Sequence, residues 1–233
     1  GDNIYGDTRD MTILQAKYDS LSSKAEFQAL RDSARILAVW DDHDYGMNNA
    51  GKEFSAKDTM RDLMFDFLDV PKTDPAWSRK GGYQSYDIDN DKIKIKLILL
   101  DSRYFRDEAL KDGGKYIPNL DGSILGNDQW IWLEEELNNL EADLLIIANG
   151  IQVIPEEHRF EKWANFPNER RRLFDLLSNT RTVPTVLLSG DRHLSEVSKI
   201  EGQNSIYEIT SSGMTHTYSS FVSEPNKFRI GEV

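Results

Sequence analysis

The stretch Val39-Trp40-Asp41-Asp42-His43-Asp44-Tyr45-Gly46-Met47-Asn48-Asn49 constrains this chain more than any other. It follows an apolar run, Ile36 to Val39, that reads as a buried strand. Three carboxylates and a histidine then stand together at Asp41-Asp42-His43-Asp44. Like charges crowded at one point disfavour ionisation unless a cation sits among them, and at a strand end the usual cation is a metal ion. By itself the stretch suits a solvated acidic loop with a spare histidine equally well.

Two further turns of the same kind tip that balance. Gly1-Asp2-Asn3-Ile4-Tyr5-Gly6-Asp7 opens the chain, and Val186-Leu187-Leu188-Ser189-Gly190-Asp191-Arg192-His193 comes late. Each has Gly-Asp at its mouth. The late turn follows a strand, and the early one calls for a strand upstream of residue 1. Together the three turns gather Asp2, Tyr5, Asp42, His43, Asp191 and His193. Carboxylates, a phenol and imidazoles suit hard or borderline metals such as iron(III), manganese, calcium or zinc.

The order Gly-Asp-x-x-Tyr, Asp-Asp-His-Asp, Gly-Asp-x-His resembles the alkaline phosphatase D (PhoD-like) family. That family belongs to the calcineurin-like metallophosphoesterases, which include the purple acid phosphatases. Asp42-His43-Asp44 stands where the superfamily carries Asn-His-Asp/Glu, and Asp191-Arg192-His193 where it carries His-x-His. Leu100-Asp101-Ser102-Arg103, Gln129-Trp130, Asn149-Gly150-Ile151-Gln152 and Trp163 to Arg170 are similar to the family as well, so the resemblance covers nearly the whole chain. It implies an α/β fold, the calcineurin-like metallophosphoesterase α/β/β/α sandwich of two mixed sheets flanked by helices. It also implies a single metallophosphoesterase domain over residues 1–233 that lacks the family's first strands and its C-terminal strands. The first of the upstream strands would bring a metal ligand.

By the same resemblance the chain is a dinuclear metal-dependent phosphohydrolase. It would cleave phosphodiesters, and phosphomonoesters too, by attack of a metal-bridging hydroxide. Asp2 is then the bridging carboxylate, Tyr5 and His193 bind the first metal, and Asp42 and Asp191 bind the second. A phenol ionises only beside a strong Lewis acid, which points to Fe3+ at the first place. The two extra carboxylates at the second favour Ca2+ or Mn2+ over Zn2+. The superfamily's lone histidine falls at Asn149-Gly150-Ile151-Gln152. There Asn149 or Gln152 supplies an oxygen, or the place is vacant, or the segment is a plain turn. His43 is left to donate to a phosphoryl oxygen or protonate the leaving alkoxide, with Asp44 orienting it. Arg103 either pairs with Asp101 or helps to order the site and bind phosphate. Relatives are often exported, so the resemblance favours an extracytoplasmic location, periplasmic or secreted.

With 28 basic residues against 40 acidic, the net charge of −12 argues against a broad nucleic-acid or anionic-membrane surface. A small phosphate ester remains admissible as the partner, because bound metal ions reverse the sign locally. No cysteine is present, so there is no disulfide framework and no thiolate site. No apolar run reaches transmembrane length and no segment reads as a signal peptide. The oligomeric state is not legible.

Elsewhere the pattern predicts two short helices over Met11–Leu30 and an amphipathic helix over Ser55–Leu68 with Met60, Leu63, Met64 and Phe67 in the core. It predicts an antiparallel pair, Tyr83–Ile88 and Ile93–Leu100, and a rim loop to the cleft at Lys111–Asn119. Helices follow from Gly126 to Leu140 and from Asn168 to Leu177, with strands at Leu144–Ala148, Thr185–Leu188 and Ile206–Thr210. His158, in a polar surface-like loop, and His216 are expected to be structural rather than ligands. A competing reading is a metal-poor, inactive binding module on the same fold, motivated by the missing upstream ligand and the missing lone histidine.

Overall fold

The computed structural model describes residues 2–138, 140–179, 183–202, 205–212, 218 and 224–232. Helices α1 (Met11–Ser22) and α2 (Ala25–Ser33) form the expected pair. Asp10 starts α1 by accepting the Thr12 N–H, and the helix buries Leu14 and Tyr18 at i, i+4 spacing. The central acidic stretch itself forms a short helix, α3 (Asp42–Tyr45), and α4 (Lys57–Phe67) buries Met60, Met64 and Phe65.

Strands β1 (Gln84–Asp89) and β2 (Lys94–Leu99) make the predicted hairpin. Its turn is closed by Asn90 Oδ1, which accepts the N–H groups of Lys92 and Ile93. Two very short strands, β3 (Lys111–Asp112) and β4 (Lys115–Tyr116), form a ribbon across Gly113 and Gly114. Helix α5 (Gly126–Asn138) leads to β5 (Leu144–Ala148), and α6 (Pro167–Asn179) to β6 (Thr185–Ser189). Strands β7 (Ser195–Ile200), β8 (Ile206–Ser211) and β9 (Arg229–Glu232) complete the sheet.

The sheet runs β1-β2-β5-β6-β8-β7-β9. Its four central strands β2, β5, β6 and β8 are parallel and its margins antiparallel. Helices α5 and α6 make the crossovers from β2 to β5 and from β5 to β6, whereas β6 reaches its parallel neighbour β8 through the antiparallel β7. The result is a mixed α/β fold of the class the sequence implied, with one seven-stranded mixed sheet and the β3–β4 ribbon among the described residues. On one face, Leu145, Ile147 and Leu187 pack in one core with Trp130 and Leu133 of α5 and Leu173 and Leu177 of α6. On the other, Leu99 packs with Trp40, Tyr45, Met60 and Phe65.

One element departs from expectation. Ile36 to Val39 takes no regular secondary structure and joins no ladder among the described residues. Apolar composition alone does not make a strand, which needs a neighbour to accept and donate its backbone hydrogen bonds. Val39 still delivers the acidic turn from the second core.

Candidate metal centre

Strands β2, β5 and β6 all point their carboxyl ends the same way, and that is where open parallel sheets place their sites. The segments just beyond them carry Arg103, Asn149 and Asp191 to the acidic turn after Val39.

Asp41 is fully buried on the inner side of that turn. Arg103 Nε donates to its Oδ1 at 2.5 Å, and Arg103 Nη1 donates to Glu161 Oε2 at 2.6 Å. The other oxygen of Glu161 lies 2.6 Å from Arg106 Nη1. Glycine is required at Gly150, because a Cβ there would run into the Asp41 carboxylate. Arg103 has no exposed surface, and its guanidinium is engaged by Asp41 and Glu161. It does not pair with Asp101, which instead accepts the backbone N–H groups of Gly82, Arg103 and Tyr104.

Asp42 faces the other way. Its Oδ2 accepts the Asn49 N–H at 2.7 Å and its Oδ1 the His43 N–H at 3.0 Å. Donor atoms of Asp2, Asp42 and His43 lie within 4.8 Å of one another, and so do those of Asp41, Asp42 and Asp191. Asp42 is common to both groups. Tyr5 Oη sits 2.9 Å from His193 Nε2. Asn149 lines one groove with Asp2, Tyr5, Asp191 and His193. Its Oδ1 accepts the indole N–H of buried Trp163 at 3.0 Å. Gln152 turns away, donating to Glu196 and Thr210.

His43 is oriented by Asp7, whose Oδ1 lies 2.7 Å from Nδ1. Asp44 was expected in that place. It is buried instead, accepting the Asp41 N–H at 2.7 Å and the Asn3 side chain at 2.5 Å. The reason is helical geometry: His43 and Asp44 are consecutive in α3, and consecutive side chains do not face each other.

The electrostatics follow from this crowding. Burial pushes the Asp2 carboxyl up to about 7, and the charges of Asp41 and Asp42 push the same way. Burial and the same two carboxylates hold Asp191 well above the usual carboxylate range. For Asp42 burial also acts upward, but Arg103, His43 and the two backbone N–H groups outweigh it and bring the carboxyl below its usual value. Burial disfavours the charged His43 ring, yet Asp42, Asp7 and Asp2 outweigh that and raise it. Carboxylates thus outnumber the cations that face them. Asp41 Oδ2 is in addition buried without a hydrogen-bond partner. Oxygen-rich donors with surplus negative charge fit a hard metal ion. Backbone conformation is unusual at the same place: Asp7, Asn49, Asp191 and His193 take φ of 46°, 57°, 66° and 54°. Left-handed non-glycine residues gather where surrounding structure holds them, often at functional sites.

A cleft of about 470 Å³ opens over Asp42, His43 and Asp191, with Lys111, Tyr116 and Arg159 on its wall. The predicted rim segment at Lys111–Asn119 is therefore at the cleft, built partly as the β3–β4 ribbon. The loop with His158 is not the surface-like segment its composition suggested. His158 is buried, accepts the Phe160 N–H on Nδ1, and is held neutral, its pKa pushed down to about 2 by burial, Arg192 and Lys162. Glu161 and Lys162 of the same loop are buried too. His216 lies outside the described residues. Sequence reasoning missed Glu161, Arg106 and Asn49 and left Asp7 unassigned. Nothing in the sequence marks Glu161 or Arg106, whereas Asn48-Asn49 so close to the acidic stretch was a usable signal.

Comparison with known proteins bears on this site. A family profile described as PhoD-like phosphatase matches residues 93–227. No curated protein sequence matches the chain. Among solved structures it is similar to that of PhoD, with TM-score 0.70 and 20% identity over 90% of this chain and 45% of that one. It is also similar to a dimetal phosphatase from Danio rerio, with TM-score 0.53 and 12% identity over 89% of this chain and 68% of that one. At these identities the likeness establishes the fold, and the chain spans less than half the length of the PhoD structure.

Proposed function

The chain belongs to the PhoD-like phosphatase family, and from that premise we propose that it is a metal-dependent phosphoesterase acting on phosphodiesters and also on phosphomonoesters. The observation that carries this reading is the meeting of two donor groups at Asp42, one with Asp2 and His43 and one with Asp41 and Asp191, beside a cleft lined by Asp42, His43 and Asp191. Asp2, Tyr5, His193 and Asn149 would hold one ion, Fe3+ by the chemistry of its phenol. Asp42 and Asp191 would hold a second, Ca2+ or Mn2+ rather than Zn2+. When bound, such ions neutralise ester oxygens and acidify water near neutral pH.

The remaining steps belong to the chain's own groups. Burial disfavours the charged His43 ring, but Asp42, Asp7 and Asp2 outweigh it and raise its pKa, which favours a donor here. Asp7 on Nδ1 leaves Nε2 to donate to a phosphoryl oxygen or to the departing alkoxide. Arg103 acts from behind, fixing Asp41 rather than touching substrate. Lys111 and Arg159 on the cleft wall attract an anionic ester into a chain whose net charge would repel it. No helix among the described residues is long and apolar enough to cross a membrane, and the family likeness supports an extracytoplasmic location.

The test is hydrolysis of bis(p-nitrophenyl) phosphate, abolished by EDTA and restored by iron, manganese or calcium. His43→Ala should lower kcat by about 10²-fold or more while retaining the metal content. A fully active His43→Ala protein would end the acid assignment. No hydrolysis under any of these metals would favour a binding module on this fold.

A further inference from the structure

We infer that Glu161 is the positioning residue that fixes the metal-facing carboxylate of Asp42, an inference that rests on the phosphoesterase reading above. Glu161 is 2% exposed and grips two arginines, one with each oxygen: Arg103 Nη1 at 2.6 Å and Arg106 Nη1 at 2.6 Å. Each arginine leads to a different oxygen of Asp42. Along the first arm, Arg103 is tied to Asp41 and brings Nη2, which makes no hydrogen bond, to an ion-pair distance of 3.9 Å from Asp42 Oδ1. Along the second, Arg106 Nη2 donates to the Asn49 carbonyl, and the Asn49 N–H donates to Asp42 Oδ2 at 2.7 Å. Arg106 also accepts the Lys52 N–H at 2.8 Å on its own carbonyl, so it holds the Asn49–Lys52 loop at both ends.

The charges explain why a carboxylate must stand at this node. Two arginines drawn so close in a site without water would repel each other and separate. With Glu161 between them, and Asp41 on the far side of Arg103, two cations meet two anions and both arms stay in place. A carboxylate that binds metal is only as well placed as the groups that hold its oxygens. Asp42 lies in a helix of only four residues, which offers little rigidity of its own. Glu161 belongs to the loop whose Arg159 and Phe160 line the cleft wall. The segment that shapes the substrate cleft thus also sets the metal ligand.

The test compares Glu161→Gln with a control, Glu169→Gln. Glu169 is likewise a hub, accepting from Ser123, Ile124 and Trp130, but it sits away from the cleft. Manganese is titrated calorimetrically into the metal-free full chain, and electron paramagnetic resonance is recorded on the bound ion. Glu161→Gln should weaken the manganese Kd by about 10–100-fold and alter the resonance signal, while Glu169→Gln changes neither. An unchanged Kd in a folded Glu161→Gln protein would overturn the inference. Equal weakening by Glu169→Gln would also overturn it, because the effect would then be a general loosening. Should Glu161→Gln not fold, Arg106→Lys serves in its place, since it keeps the charge and cuts the arm to Asn49. It should weaken manganese by roughly 10-fold, and an unchanged Kd would again overturn the inference. An unaltered chain that binds no manganese would defeat the phosphoesterase reading itself, a result separate from the others.

Discussion

Asp41 and Asp42 are neighbours in sequence, and the fold gives them opposite surroundings. Asp41 points inward to Arg103, which is shared with Glu161, which is shared with Arg106. That side of the turn is buried and supplies cations of its own, although Asp41 Oδ2 keeps no hydrogen-bond partner. Asp42 points to the cleft, where Asp2 and Asp191 add charge and His43 is already engaged by Asp7. The difference shows how a protein separates structural from functional charge. Where water is excluded, an unpaired carboxylate is too costly and the chain provides the partner. Where the cleft opens, the deficit is left unbalanced among the described residues, an arrangement that suits a cation from solution.

The strongest way to break this comparison is to remove each carboxylate's partner in turn. Asp42→Ala should cost about 10³-fold or more in kcat/KM, because the metal's several kcal/mol of charge stabilisation goes with it. Its melting temperature should fall only modestly, since the Asn49 and His43 N–H groups lose an acceptor while crowding with Asp2 and Asp191 is relieved. A large loss of stability instead would place Asp42 with the structural carboxylates. Arg103→Met should do the reverse in kind, destabilising the fold by about 3–5 kcal/mol in urea denaturation, because Asp41 and Glu161 are left buried and unpaired. A loss below about 1 kcal/mol, the scale of an exposed pair, would mean that water reaches the inner side after all. The mildest change sharpens the boundary between the two sides. Gly150→Ala inserts a methyl group against the Asp41 carboxylate, and such overpacking should cost about 1–3 kcal/mol in the same assay. A neutral result would show that the Asp41–Arg103 pair can shift without harm.

Most of the fold was readable because it rests on periodicity. The β1–β2 hairpin, the amphipathic α4, and the apolar β5 and β6 each carry a local pattern that the structure respects. β7 was not readable: Ser-Glu-Val-Ser-Lys-Ile is polar, and its buried residues Glu196 and Ser198 are polar ones satisfied by tertiary partners. Ile36 to Val39 failed for the opposite reason, having strand composition and no strand beside it. The site divides the same way. Asp2, Tyr5, Asp42, His43, Asp191 and His193 announced themselves by residue type at strand-end turns, and the structure brings them together.

What the sequence by itself determined was the supply of donors and their order along the chain, because metal-binding chemistry is written in residue types and turns are local. What only the tertiary structure decided was the division of labour among them. Arg103 reaches Asp41 across 62 positions and Glu161 across 58. Asp7, rather than the adjacent Asp44, takes His43. Burial and partner choice depend on which distant segments the sheet brings to one end. A carboxylate's role follows from what surrounds it, and its neighbours in sequence do not show what that will be.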